Sequence, residues 1–249
     1  MSPDLELALR LADAADALSL PRFRSGLAVE TKADLTPVTE ADRAVEAELR
    51  RFLAAERPRD AILGEEEGAA GAGARRWLVD PIDGTRNYSR GIPVWATLIA
   101  LEVDGLVQLG VVSAPALAHR WWAERGAGAF ANGERIHVST ITTIEEAVLS
   151  LAIENDVPAV ARRAWHARGF GDFWQYMLIA EGGVDGAVDA VGVSEWDLAA
   201  MQVIVEEAGG RFSDLAGEPR IDSGSAVASN GLIHDALLES LSPRAVPPR

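Results

Sequence analysis

The chain contains no cysteine, which excludes disulfides, zinc–thiolate sites and a cysteine nucleophile. No uncharged apolar run reaches the ~20 residues that a membrane helix needs. Met1 to Arg10 carries Asp4 and Glu6 and no basic run, so a signal peptide is not expected there. With the missing cysteines, this points to a cytoplasmic protein. Positive charge is scarce: 23 lysines and arginines against 38 aspartates and glutamates leave a formal net charge of -15. Such a surface disfavours nucleic acid and anionic membrane as partners. A phosphate substrate needs local positive charge, which a bound metal supplies. The four histidines (His119, His137, His166 and His234) are scattered, with no paired helical spacing for a metal. There is no Gly-x-Ser-x-Gly elbow, no P-loop and no internal repeat. Gly71-Ala72-Gly73 and Gly126-Ala127-Gly128 lack the third glycine of a dinucleotide fingerprint.

The 249 residues are 48% hydrophobic and 24% charged, enough for a sizeable core in one large domain or two closely packed halves. Leu5, Leu9, Ala12, Ala15 and Leu18 keep helical spacing, and Pro21 is expected to end that helix. The segment 32–39 is polar and Pro-broken, hence a loop. Thr39 with Asp42 three residues on resembles a capping box before a second helix through Ala41, Val45, Leu49 and Phe52. Ala61 to Leu63 is a short buried strand, and Gly68 to Ala74 is expected to be a mobile linker. Asp104-Gly105 between apolar runs signals a hairpin. Asn132-Gly133 marks another, between the Arg120–Glu124 and Ile136–Val138 regions. From Ala147 onward, helical patterns near Ala159–Arg168, Asp172–Glu181 and Glu195–Ala208 alternate with strands near Gly186–Val191, Arg211–Ser213 and Ala226–Ser229, as in an α/β unit. Asn230 is expected to cap a last helix over Gly231–Leu241. The expected division is 1–145 as an α+β half, 146–242 as an α/β half, and 243–249 as a flexible tail.

One stretch concentrates chemistry. Trp77-Leu78-Val79 is apolar and strand-like, and Asp80-Pro81-Ile82-Asp83-Gly84-Thr85 follows. Pro81 has no N–H, so the chain is expected to leave its sheet there. Asp80 and Asp83 then sit at the carboxyl end of a strand, where open α/β sheets bind ligands. Two carboxylates so close repel unless a hard cation such as Mg²⁺ lies between them. Gly84 and Thr85 offer N–H groups at a helix start, a seat for phosphate. The same spacing also describes an Asx-rich turn with two solvated acids. Glu65 and Asp197 occupy comparable places, at a strand end and a helix start, although Ser194 and Asp197 also fit a capping box. Two Mg²⁺ ions about 4 Å apart need several carboxylates, one of them bridging. Asp80 is placed to bridge, and the Ile82 carbonyl can add an oxygen.

These residues resemble the inositol monophosphatase superfamily of Mg²⁺-dependent, often lithium-sensitive phosphatases. Asp80 to Thr85 is similar to its first signature, and Trp196-Asp197 with Glu207-Ala208-Gly209-Gly210 to its second. Gly64-Glu65-Glu66, Thr36 to Thr39 with Asp42, and Gly126 to Gly133 fall in the family's order. The resemblance runs from about Leu5 to Leu241. It implies a five-layered α-β-α-β-α sandwich and commonly a homodimer. It also implies that Glu65, Asp80 and the Ile82 carbonyl hold one Mg²⁺, and that Asp80, Asp83 and Asp197 hold a second, with a further water-rich Mg²⁺ near Glu65. The same resemblance implies that the Gly84 and Thr85 N–H groups bind the phosphate, and that Thr85, paired with Asp42, helps Glu65 position and deprotonate the attacking water.

Within the family, Gly91 to Leu101 and Gly171-Asp172-Phe173-Trp174 resemble the bacterial histidinol-phosphate phosphatases. The expected substrate is therefore a small phosphate monoester, L-histidinol phosphate, whose ammonium calls for an anionic pocket. The loop Asp189 to Glu195 is shortened and lacks the acid with which inositol phosphatases hold ring hydroxyls. Asp172 is the first candidate for the ammonium, with Asp189 and Glu195 behind it; an N-cap role describes Asp172 equally well. The alternatives are an inositol-1-phosphate or broader sugar/nucleotide phosphatase, and a regulatory binding protein without turnover.

Overall fold

The computed structural model describes residues 1–26, 29–31, 37–152, 159–190 and 192–241. Expectations placed on 32–36, Val191 and 243–249 lie outside them. In chain order the elements are α1 (Pro3–Arg22), β1 (Val29–Thr31), β2 (Pro37–Thr39), α2 (Glu40–Glu56), β3 (Ala61–Gly64), β4 (Gly68–Ala70), β5 (Arg75–Asp83), α3 (Thr85–Ser89), β6 (Ala96–Val103), β7 (Leu106–Ala114), β8 (His119–Glu124), β9 (Gly128–Ala131) and β10 (Glu134–Arg135). Then follow β11 (Val148–Ala152), α4 (Ala159–Arg163), β12 (His166–Arg168), α5 (Asp172–Ala180), β13 (Gly186–Asp189), α6 (Glu195–Glu207), β14 (Arg211–Ser213), β15 (Ala226–Ser229) and α7 (His234–Leu241).

Two large sheets carry the fold. The first has eight strands in the order β10-β9-β8-β7-β6-β5-β3-β4, all antiparallel except the parallel pair β3 and β5. The second has five, β12-β11-β13-β15-β14, with β11 parallel to both β12 and β13 and the remaining pairs antiparallel. Strand alternation gives each sheet two buried faces. Trp77 and Val79 of β5 pack with Ile99 and Val111 under Leu5, Leu11, Val45 and Leu49 of α1 and α2. Leu78, between them in sequence, points the other way and joins Leu98, Val112 and the residues of α5 and α6.

Helix α6 is buried from Leu198 to Val205 on every side, as a helix between two sheets must be. It packs on β5 to β9 in front and on β14 and β15 behind. Val160 of α4 and Leu237 of α7 cover the far face of the second sheet, over Leu149, Val188 and Val227. The layers are thus α1/α2, first sheet, α5/α6, second sheet, α4/α7: the five-layered α-β-α-β-α sandwich.

Several local expectations are corrected. Pro21 lies in the last turn of α1, which ends at Arg22. Strand β5 does not stop at Pro81. Its pairing with β6 skips from Asp80 to Asp83 through an irregularity that absorbs the missing N–H, and Thr97 Oγ1 donates to the Pro81 carbonyl at 2.8 Å. Gly68 to Ala70 is a strand paired with β3, not a linker. Asn132-Gly133 joins β9 to β10, and the turn after β8 falls at Arg125 to Ala127. The helical pattern from Ala159 ends at Arg163 because His166 to Arg168 pairs with the edge of β11. The last helix starts at His234, after a turn in which Asn230 Oδ1 accepts from Leu232 and Ile233 N–H.

Close approach of α6 to β7 depends on Gly110, where an added Cβ would lie 2.7 Å from the Ala200 Cα and carbonyl oxygen. Backbone cannot move aside as a side chain can. Gly110→Ala is expected to destabilise the protein by about 1–3 kcal/mol, read by denaturant unfolding.

Candidate active site

The carboxyl ends of β3 and β5 lie side by side because the two strands are parallel, with Gly64 opposite Val79. Glu65 continues this pairing, its N–H donating to the Val79 carbonyl at 3.3 Å. Together with the starts of α3, α5 and α6 these ends enclose a cleft of about 170 Å³ lined by Glu65, Asp80, Ile82, Asp83, Gly84, Thr85, Arg86, Asp172 and Asp197. Asp80, Asp83 and Asp197 each present a carboxylate oxygen, all within 4.8 Å of one another. A larger cavity of about 520 Å³ opens beside Asp4, Asp60, Arg57 and Arg75 near the amino ends of β3 and β5. There those acids and guanidiniums pair with one another, and it offers no convergent set of acids.

Each acid is fixed by one oxygen and offers the other. Asp80 Oδ1 accepts the Ile82 N–H at 2.9 Å, an Asx turn that coexists with the acidic cluster. Asp83 Oδ2 accepts the Phe173 N–H at 2.6 Å, tying β5 to the head of α5. Asp197 Oδ2 accepts the Ser194 N–H at 2.6 Å in a true capping box. Asp42 does likewise: Oδ2 accepts from Thr39 N at 2.8 Å and Oδ1 from the Thr85 hydroxyl at 3.1 Å. That hydroxyl also lies 2.9 Å from the Ile82 carbonyl oxygen. Gly84 turns the chain into α3 with φ 81; a Cβ there would also press on the Val94 carbonyl and Asp172 Oδ2, at 3.1 and 3.3 Å.

Burial and like charge push these groups up. Asp80 is raised well above the ordinary carboxyl value by burial first, then by Glu65, Asp83 and Asp197. Asp83 is raised by burial, then by Asp172 and Asp197. Asp197 reaches about 7, chiefly through burial. Asp42 and Asp172 are also raised, each mainly by burial, with Asp189 adding to Asp172. Among the described lining residues, Arg86 is the only cation. Carboxylates crowded into a cleft beside a backbone carbonyl form an all-oxygen donor set that fits a hard divalent cation such as Mg²⁺.

Asp172 faces the cleft. It opens α5 at φ 47 and accepts from Asn87 Nδ2 at 3.0 Å, while Gly171 takes the N-cap position. Asp189 and Glu195 do not line the cleft. Asp189 is buried and accepts from Tyr176 Oη and Gln175 Nε2, at 2.5 and 2.7 Å. Glu195 is held by Arg76 at 2.6 Å, which braces the start of α6 against β5. Trp95 lies beneath the site among Ala41, Ile82 and Tyr88, and Trp174 packs against the core. Sequence reasoning missed Arg86 and Asn87. They directly follow Thr85 on the five-residue α3, so their adjacency to the motif was the available signal.

The family model described as "Inositol monophosphatase family" matches residues 1–244. A histidinol-phosphatase from Streptomyces coelicolor is 48% identical over 260 aligned residues, covering 97% of this chain and 97% of its own. One from Mycobacterium tuberculosis is 49% identical, covering 96% of this chain and 98% of its own. The crystal structure of extragenic suppressor protein suhB from Bartonella henselae is similar with a TM-score of 0.90 and 29% identity, over 98% of this chain and 100% of that one.

The raised carboxyl groups make metal-free stability depend on pH. The folded protein holds protons that the unfolded chain releases, so stability falls as pH rises from the ordinary carboxyl value of 3.8 toward about 7 for Asp197. Asp197→Asn removes one such group yet keeps an oxygen for Ser194. Without divalent cations, the variant should gain melting temperature relative to wild type as pH rises from about 4 to about 7. A difference independent of pH would contradict the assignment.

Proposed function

Since the chain belongs to the inositol monophosphatase family, we propose that it is a Mg²⁺-dependent phosphomonoesterase that hydrolyses L-histidinol phosphate to L-histidinol and phosphate. The observation that carries this reading is the meeting of Asp80, Asp83 and Asp197 beside Gly84 and Thr85. It occurs in a chain nearly half identical, over almost its whole length, to two histidinol-phosphatases.

Glu65, Asp80 and the Ile82 carbonyl would hold one Mg²⁺, and Asp80, Asp83 and Asp197 a second, with Asp80 shared. When bound, the metal supplies Lewis acidity, which lowers the pKa of water and offsets phosphate charge. The protein's own groups do the rest. The Gly84 and Thr85 N–H groups and Arg86 seat the phosphate. Thr85 has one hydroxyl proton and two acceptors, Asp42 and the Ile82 carbonyl. Donating that hydrogen bond to Asp42 leaves the Thr85 oxygen lone pairs to orient the attacking water. Glu65 takes that water's proton as the new P–O bond forms; the ester P–O bond breaks on the opposite side, and the departing alkoxide takes a proton from solvent water to become the alcohol.

Asp172 supplies the anionic end that the substrate's ammonium requires. It is exposed at the cleft, and Asn87 fixes one of its oxygens. Asp189 stays behind it, adding negative field rather than contact. A homodimer in the cytoplasm is part of the same reading.

Relative kcat/KM on histidinol phosphate, inositol 1-phosphate and adenosine 3′,5′-bisphosphate tests the substrate. Histidinol phosphate should rank first; any other order removes the specificity. Asp172→Asn keeps the Asn87 contact but loses the charge. Loss of a charge-assisted hydrogen bond of about 1.5–3 kcal/mol should raise KM for histidinol phosphate about 10- to 150-fold. KM for p-nitrophenyl phosphate, which has no ammonium, should change little.

A further inference from the structure

Helix α2 presents two buried carboxylates on one face, Asp42 and Glu46. Asp42 reaches Thr85 at the start of α3. Glu46 lines no part of the cleft, yet its side chain is wholly buried, where a carboxylate is costly unless fully partnered. Its partners are specific. Oε2 accepts the Glu66 N–H at 2.7 Å, and Oε1 accepts the Glu67 N–H at 3.0 Å and Arg50 Nε at 2.8 Å. Arg50 in turn donates to the Gly68 carbonyl at 2.5 Å. One helix face thus grips the whole turn between β3 and β4.

Resting on the metal-site reading above, we propose that Glu46 is a positioning residue for Glu65. On one side of Glu65, its own N–H is tied to the Val79 carbonyl. On the other, the next two N–H groups are tied to Glu46. With the backbone anchored before and after it, the Glu65 Cα–Cβ direction is set toward the acids of the cleft. Three successive glutamates have none of the features that shape a tight turn by themselves. The buried carboxylate beneath them supplies the missing acceptors. Gly64 belongs to the same device. Its φ is not in the left-handed region, but a Cβ there would run into the Glu46 carboxylate, so this glycine is required for space.

The test is a double-mutant cycle on metal binding. Glu46→Gln keeps the shape and one acceptor oxygen but loses the second acceptor and the charge. Calorimetric titration of Mn²⁺ into metal-free wild type, Glu46→Gln, Glu65→Gln and the double variant reads the coupling, with circular dichroism confirming a folded chain. Glu46→Gln should weaken Mn²⁺ binding at least tenfold in the wild-type background and less than twofold in the Glu65→Gln background. A lowered melting temperature with Mn²⁺ affinity unchanged would make Glu46 merely structural and overturn the proposal. So would an equal loss in both backgrounds. If Glu65→Gln alone leaves Mn²⁺ binding intact, the assignment of Glu65 to the metal site fails, and this proposal with it. Should Glu46→Gln not fold, Gly64→Ala reads the same coupling, because it displaces the same carboxylate.

Discussion

Like charges crowded into a partly buried cleft repel, and the site depends on that constraint. Asp80, Asp83 and Asp197 approach within 4.8 Å of one another, with Glu65 raising Asp80 further. No apolar packing brings acids together; the surrounding framework must hold them there. Parallel pairing of β3 and β5 places two of the segments side by side. The close packing of α6 on β7, permitted by Gly110, delivers the third. On the metal-site reading, a hard cation would turn the repulsion into binding energy, so the same geometry that costs stability in the metal-free protein would supply affinity for the metal.

The cluster is built economically, because its acids also cap and brace. Asp197 closes a capping box and Asp80 an Asx turn, each with one oxygen. Asp42 caps α2 and grips Thr85 with opposite oxygens. A carboxylate with one oxygen already bonded has lost most of its rotational freedom, so it meets a cation or a hydroxyl preorganised. Capping and chemistry are therefore not competing descriptions of these residues. This is why α2 and α6 must be rigid: each helix start is also a wall or support of the site.

Much of this was legible in the sequence. Helical spacing gave α1, α2, α5 and α6, Asp104-Gly105 gave the hairpin between β6 and β7, and Glu65, Asp80, Asp83 and Asp197 were visible as acids at element ends. What escaped notice depended on tertiary pairing. The strand at Gly68–Ala70 has linker composition and exists because β3 offers an edge. The strand at His166–Arg168 continues a helical pattern but is claimed by β11. Pro81 reads as a strand stop, yet an irregular register carries β5 past it. Side-chain partners were hidden for the same reason. Nothing local distinguishes Asp189, sealed under Tyr176 and Gln175, from Asp172, open to the cleft; the difference is which way the second sheet and α5 face.

On the reading proposed above, these acids converge in order to hold metal. Anomalous X-ray scattering from crystals grown with Mn²⁺, at a concentration that sustains turnover, tests it most directly. Ion density should touch Asp80, Asp83 and Asp197, with Asp80 shared toward Glu65. Turnover with Mn²⁺ but no density among these carboxylates would contradict it.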